Sequence, residues 1–476
     1  MNADPILVLQ MHRMGDLILT MPLLRHLLRH WPGHEVWVAA EPHFFQDLMP
    51  LAPKVVFFPS AHGPALGERH YELALNLSSR PQALACQAHL KARRKFGPEL
   101  VTHGPLPDEG TLGQQHINGF WQLYRAALTH NNHNNAFHWA DLYMLDLSPQ
   151  PDLTGVFRPS PRSAGTNRVG MVLGASELAK RPDADFWVRL ARRLAAEGLL
   201  PLFLGGPAEQ DLGQEVAQKA GLPGANLCGR LSLKELAALM RTLDLCITPD
   251  TGPMHLADFV GVPVLNLSMG PVHARETGPS APGQYVLRAA MSCVGCWQCY
   301  RGRLYCKHAF TASGVAGLSL SLLRTPANPA VPQGLRLYRT GRDALGLYTL
   351  EHVGHKADTS CRSLLEDLWQ AVFLFLYNPA QRPLLVGRLE RLRTAFPHLA
   401  KSVTLGLAGL CASFSRHLRK GAHVLPDDFW RSQPPVIRLF SGYLHMRMQN
   451  DGYSSKAWHA ALEDLEEITA LFMASS

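Results

Sequence analysis

The sequence predicts an α/β protein: two parallel α/β domains in tandem, followed by a mainly helical region. Three observations predict it. Short apolar runs of strand length alternate with segments of helical spacing up to about residue 129, and the alternation restarts at residue 168. Such alternation specifies a mostly parallel sheet covered on both faces. Between the two runs, Ser148–Pro161 holds Pro149, Pro151, Pro159 and Pro161 and reads as an interdomain linker. Beyond about residue 330 the alternation stops, and from Ser363 onward the pattern is helical, with breaks near Pro379, Pro383, Pro397, Pro426 and Pro434. The expected domains are therefore 1–155, 156–330 and 331–476.

The first domain opens with Ile6–Gln10 as a buried strand. It runs into the turn Met11-His-Arg-Met-Gly-Asp16 and then a helix on which Leu17, Leu24, Leu27 and Leu28 keep helical spacing. Glu35–Ala40 is a second strand and Pro42–Leu51 a helix. Val55–Phe58 and Tyr71–Leu77 read as strands, and Gln82–Leu90 and Gln115–Thr129 as helices. In the second domain, Arg168–Leu173 is a strand leading to Gly174-Ala-Ser-Glu-Leu-Ala-Lys180. A helix over Phe186–Glu197 stops at Gly198, and the strand Leu199–Leu204 ends in Gly205-Gly-Pro-Ala-Glu209. Ser232 and Glu235 form a capping box ahead of another helix. The apolar run Leu243, Leu245, Ile247 then meets a turn at Pro249 and Gly252, and a helix begins at Thr251-Gly-Pro-Met-His255. Val262–Leu267 is a further strand. In the last region Leu335–Thr340 and Leu345–His352 suit a hairpin.

Composition narrows the function. The chain has 476 residues, 46% apolar and 18% charged, which suits folded domains rather than disorder. Its net charge of +8 favours acidic partners such as phosphorylated small molecules, anionic membrane surfaces or nucleic acid. No basic block is long enough for a nucleic-acid arm. The densest cluster, Lys91, Arg93, Arg94 and Lys95, reads as a solvated or phosphate-facing patch. No secretory signal pattern is visible, and no stretch reaches the ~18–20 apolar residues of a membrane span. Nine cysteines, odd in number and mostly scattered, argue against a secreted disulfide scaffold, so the expected compartment is the cytoplasm. There is no G-x-G-x-x-G after the first strand, no G-x-x-x-x-G-K-[ST] and no G-x-S-x-G, so no dinucleotide site, P-loop or nucleophile elbow is supported.

Several residues are placed for chemistry. A helix N-terminus at the carboxyl end of a strand offers backbone N–H groups and partial positive charge to an anion, and Asp250, Thr251 and His255 add side chains there. Plain helix capping is the alternative. Asp16, at a helix start, is the base candidate of the first domain: a carboxylate there can accept the proton of an attacking hydroxyl. It too could be only a cap. Lys180 can neutralise a leaving diphosphate, or be solvated surface. Glu209 can bind ribose hydroxyls from a strand edge, or face solvent. Cys293, Cys296, Cys299 and Cys306 place four thiols within fourteen residues, with His308 just beyond. That spacing suits a structural zinc and, less well, an iron–sulfur cluster; reduced loop thiols remain the alternative.

Met14-Gly-Asp-Leu-Ile-Leu-Thr-Met-Pro22, Gly174-Ala-Ser-x-x-x-Lys180-x-Pro182 with Gly205-Gly-Pro-x-Glu209, and Asp250-Thr-Gly-Pro-Met-His255-Leu-Ala occur in that order. Together they resemble glycosyltransferase family 9, the heptosyltransferases of lipopolysaccharide core assembly. The resemblance covers roughly residues 1–310. It implies a GT-B fold, two Rossmann-like domains facing a cleft, and an inverting transfer from ADP-L-glycero-β-D-manno-heptose to a lipopolysaccharide-type glycan, without a catalytic metal. Asp16 would be the general base. Lys180 and Ser176 would hold the diphosphate, Glu209 the nucleoside, and Asp250, Thr251, Gly252 and His255 the phosphates and sugar. The implied setting is the cytoplasm, peripheral to the inner membrane, with no nucleic acid partner. A nucleotide-sugar epimerase-like enzyme and a non-enzymatic assembly protein on the same architecture are the alternatives.

Overall fold

The computed structural model describes residues 3–101, 115–131, 133–148, 152–157, 165–293, 295–354, 360–421 and 424–474. The four prolines of the expected linker lie outside them. β1 (Ile6–Leu9) is wholly buried, as four consecutive apolar residues must be in a strand covered on both faces. With β2 (Val36–Ala40), β3 (Val56–Pro59), β4 (His70–Asn76), β5 (Lys91–Leu100) and β6 (Gln115–Asn118) it forms a sheet of order β3-β2-β1-β4-β5-β6. All neighbours are parallel except β5 and β6. The chain steps from β1 to β2 on one side and later to β4 on the other. Strand order thus reverses beside β1, where a crevice opens at the carboxyl ends of the strands.

The second sheet repeats the device. β7 (Arg168–Val172), β8 (Leu200–Leu204), β9 (Leu245–Pro249), β10 (Val264–Leu267), β11 (Tyr285–Ala289), β12 (Leu335–Arg342) and β13 (Tyr348–His352) stand in the order β13-β12-β11-β10-β9-β7-β8. Here the reversal falls between β7 and β9, whose following loops carry Lys180 and Asp250–His255.

Two expectations need correction. Gln115–Asn118 is a strand, not helix; the helix starts at Phe120. Gly119 separates them at φ 101°, a left-handed conformation, and a Cβ there would stand 2.7 Å from an Asp146 oxygen. The Lys91–Lys95 cluster is the first half of β5. Lys91, Arg93 and Arg94 are exposed, as a solvated patch requires; Arg93 pairs with Glu72 at 3.3 Å, and Lys95 Nζ donates to the Gln87 carbonyl at 2.8 Å. The hairpin belongs to the second sheet rather than to the helical region. β12 pairs antiparallel with β11 and buries Leu335 and Leu337, so the helical region begins with the helix Cys361–Tyr377 instead of at residue 331.

That region also contains the long helices Arg382–Ala395, Pro397–Arg419, Arg438–Asn450 and Ser455–Ala474. It packs on both sheet domains. Phe120, Trp121 and Tyr124 of the first domain meet Phe373, Tyr377 and Tyr443 at ring separations of 4.5–5.5 Å. On the second domain, Arg275 Nε lies 2.9 Å from Glu366 Oε2, both side chains largely buried. One continuous apolar core joins Val8, Leu256 and Phe373. Among the described residues no helix is long and apolar enough to cross a membrane.

Candidate functional site

The two crevices face each other across a cavity of about 1090 Å³. Asp16 lines it from the first domain, and Ser176, Lys180, Asp250, Thr251, Gly252 and His255 from the second. Seven of the residues singled out in the sequence are therefore brought to one space. Two glycines let the domains come this close. A Cβ on Gly15 would lie 3.1 Å from His255 Cδ2 and 3.3 Å from Gly252 Cα, and a Cβ on Gly252 2.6 Å from Met14 Cε.

Asp16 sits in the first turn of the helix Met14–Leu19, where its Oδ2 accepts from the Arg13 backbone N–H at 3.2 Å. The Thr20 hydroxyl donates to the Asp16 carbonyl at 2.8 Å and accepts from Gln10 Nε2 at 3.2 Å, which fixes the turn to the end of β1. The negative charge of Asp16 reaches four neighbours: Asp250 across the cavity, whose carboxyl it helps to raise, and three groups of its own domain. Burial lowers the Arg125 guanidinium from its ordinary range, and Tyr143 and Asp16 oppose that. Burial pushes the Tyr143 hydroxyl up, and Asp16 adds to it. Burial lowers His12, with Asp16 acting against it. A carboxylate bordered by a guanidinium, a phenol and an imidazole can receive a proton from a bound hydroxyl.

On the opposite wall Lys180 Nζ lies 3.0 Å from Glu177 Oε1, with its side chain 12% exposed. Asp250 accepts from the Thr277 hydroxyl at 2.8 Å. Burial raises the Asp250 carboxyl to about 6, although Thr277 and Lys180 favour its charged form. His255 is pushed down to about 3, by burial first and then by His138, so its imidazole is neutral. Its Nδ1 is buried and has no protein hydrogen-bond partner among the described residues. The Thr251 hydroxyl does not cap the helix Gly252–Phe259, whose N-terminus points into the cavity. A lysine, a neutral imidazole and an uncapped helix start give this wall the chemistry to receive a phosphate-bearing ligand.

Glu209 does not line this cavity. Its Oε2 accepts from the Gly206 N–H at 2.9 Å, and Arg181 stands 3.9 Å from its other oxygen. It packs against Gly174, where a Cβ would fall 2.3 Å from its carboxyl carbon. The four clustered cysteines are free thiols. Burial raises the Cys296 thiol, and Cys299, Cys306 and Cys293 raise it further, so the four are electrostatic neighbours. Yet among the described residues no group of three or more His, Cys, Asp or Glu side chains is arranged to hold a metal ion. The donor chemistry suits zinc; the arrangement does not.

Sequence reasoning missed other parts of the wall. Arg125, Tyr143 and Thr277 carry no motif that would single them out. Trp139 and Trp297 also line the cavity, as do Met446, Gln449 and Asn450 from the helix Arg438–Asn450. Only Trp297 had a signal, its place inside the cysteine cluster.

The family model of glycosyltransferase family 9 (heptosyltransferase) matches residues 131–300. That segment holds Lys180 and Asp250–His255 and excludes Asp16. Lipooligosaccharide heptosyltransferase 2 of Campylobacter jejuni is 30% identical over 139 residues, 28% of this chain and 43% of that protein. Lipopolysaccharide heptosyltransferase 1 of Pseudomonas aeruginosa is 32% identical over 124 residues, 26% of this chain and 34% of that protein. The matches thus span less than half the length of these relatives. A solved glycosyl transferase family 9 structure from Veillonella parvula superimposes with a TM-score of 0.52 at 19% identity, covering 68% of this chain and 98% of that one. The shared architecture is the GT-B arrangement of two parallel-sheet domains, here extended by helices. Residues 131–300 thus match the model of glycosyltransferase family 9, and the chain shares the fold of a solved member of that family.

Proposed function

We propose that the protein is an inverting glycosyltransferase that moves a heptose from ADP-heptose to a lipopolysaccharide core or related glycan. One observation carries the reading: Asp16 of one domain and the Lys180 and Asp250–His255 group of the other line a single cavity. Asp16 takes the proton from the acceptor hydroxyl as its oxygen attacks the anomeric carbon from the face opposite the departing diphosphate. Lys180, with Ser176 beside it, stabilises the negative charge on the leaving phosphate. Asp250, Thr251, Gly252 and His255 hold the phosphates and sugar, and the uncapped helix start favours the diphosphate. Glu209, outside the cavity at the next strand edge, takes the nucleoside. The acceptor enters beside Asp16; Gln449 and Asn450 of the helical region line the same cavity. A positively charged chain acting on phosphorylated lipid suits work at an inner membrane face.

The test is Asp16→Asn, assayed with ADP-heptose and lipopolysaccharide from a heptose-deficient strain. The expected result is a fall in kcat of about 100- to 10,000-fold with ADP affinity unchanged. Transfer at the wild-type rate would remove Asp16 from the mechanism. Conversion of ADP-heptose that proceeds equally with and without acceptor would favour epimerase-like chemistry.

We also propose, on the number and type of their donors alone, that Cys293, Cys296, Cys299 and Cys306 take up a structural zinc. Metal analysis of the purified chain tests this. One zinc per chain, lost in Cys296→Ser, is expected; a metal-free chain of unchanged thermal stability overturns it.

A further inference from the structure

The cysteine loop does more than gather thiols: it carries Trp297 into the cavity. The indole Nε1 donates to Glu276 Oε2 at 2.7 Å, and the other Glu276 oxygen accepts from Asn135 Nδ2 at 3.0 Å. Glu276 is completely buried. The next residue, Thr277, bonds Asp250. The four-residue helix Ala274–Thr277 therefore fixes two things at once: the carboxyl on the phosphate-gripping turn and the tilt of an indole ring. Trp297 stacks on Trp139 with centroids 5.9 Å apart and planes at 25°. Lys180 Nζ stands 5.5 Å from the Trp297 ring centre. Even so, Trp297 is 38% exposed.

An indole that is held by its N–H, backed by a second indole and left open to a cavity is not core packing. Its free surface costs solvation unless a ligand covers it. Lys180 ties that surface to the expected diphosphate position, so what lies beyond the phosphates meets the rings. The C–H bonds on one face of a pyranose make an apolar, slightly positive patch, and an indole face is the complementary partner.

We propose that Trp297, backed by Trp139, is the wall against which the ring of the transferred sugar packs, and so is a specificity-determining residue for the donor. This rests on the donor-site reading above. The cysteine loop then serves the site by delivering one aromatic ring, and Glu276 is the positioning residue that sets its angle.

Calorimetry on the full chain tests this with two probes, ADP and ADP-heptose, so that the sugar's share of binding is their difference. In Trp297→Ala, ADP affinity stays within about twofold of wild type, while the advantage of ADP-heptose over ADP falls about tenfold or more. Trp297→Phe keeps a ring face and restores most of that advantage, and Trp139→Phe provides a second variant should Trp297→Ala not fold. Equal weakening of both probes, or no change in either, overturns the proposal. A wild-type protein that binds ADP and ADP-heptose equally also overturns it and leaves the diphosphate site standing. A wild-type protein that binds neither probe fails the donor-site reading itself, and the sugar wall falls with it.

Discussion

Burial acts in opposite directions on the two ionisable groups of the Asp250–His255 turn. Asp250 is raised to about 6, so its contribution to stability is full below the ordinary carboxyl range and is lost as pH rises through about 6. His255 is depressed to about 3, so its contribution is full above the ordinary imidazole range and is lost as pH falls toward 3. Between pH 4 and 6 the two slopes oppose, and the wild-type profile hides both. His255→Gln should remove the acid-side loss. The slope of unfolding free energy against pH, from urea melts between pH 6.5 and 4, should change by up to about 1.4 kcal/mol per pH unit. An unchanged profile would mean that His255 titrates in the folded protein. The same turn faces Lys180. In Lys180→Ala, loss of a charge-assisted contact should weaken ADP binding about 10- to 100-fold by calorimetry, with the melting temperature unmoved. Asp16, Lys180 and His255 could be picked out from the sequence because strand-turn-helix patterning marks where a chain must leave a sheet. Arg125 and Tyr143 could not, because nothing local distinguishes a cleft-facing side chain from a core one.

At the scale of the element, strands show where sequence patterning works and where it stops. β1 is a continuous apolar run and β9 is apolar but for Thr248; both lie next to glycine turns and were readable. β5 begins with four basic residues in five, so its strand character was hidden beneath apparent surface charge. β6 is held from far away. Asn450 Oδ1 accepts from the Ile117 N–H at 2.6 Å, and its Nδ2 donates to the Ile117 carbonyl at 3.2 Å. A side chain 333 residues distant thus supplies the hydrogen bonds that a neighbouring strand would make. Asn450→Ala should cost about 1–3 kcal/mol in chemical denaturation, as two backbone groups lose their partner. The close approach of the helices that begin near Gly15 and Gly252 is equally an element-scale matter. Gly15→Val should cost about 1–3 kcal/mol through overpacking against Gly252 and His255, and should lower kcat more than ADP affinity, since it pushes the two halves of the cavity apart.

Across the whole molecule, the helical region is a brace. It reaches the first domain through the aromatic cluster around Phe373 and Tyr443, and the second through the Arg275–Glu366 pair. The domains also touch directly, with the Leu233 N–H donating to Asp47 Oδ2 at 3.0 Å and Arg342 pairing with the buried Asp141. Glu366→Ala leaves a buried guanidinium without its main counter-charge and should cost about 3–5 kcal/mol. Because one apolar core runs through all three regions, fluorescence and far-ultraviolet circular dichroism should report that loss as a single coincident transition. Two separated transitions would show that the helices fold as an independent unit.

By itself the sequence determined the alternation that builds two parallel sheets, the turns that close their reversal points, and the residue types placed on those turns. These are local properties: hydrophobic period, turn chemistry and helix starts act over a few residues. Only the tertiary structure decided that both turns open on one cavity, that Glu209 stays outside it, and that Trp297 and the Gln449–Asn450 corner come inside. Those outcomes depend on how two glycine-lined helices approach and on where a distant helix lands. Both are set by packing between segments hundreds of residues apart, which no local pattern encodes.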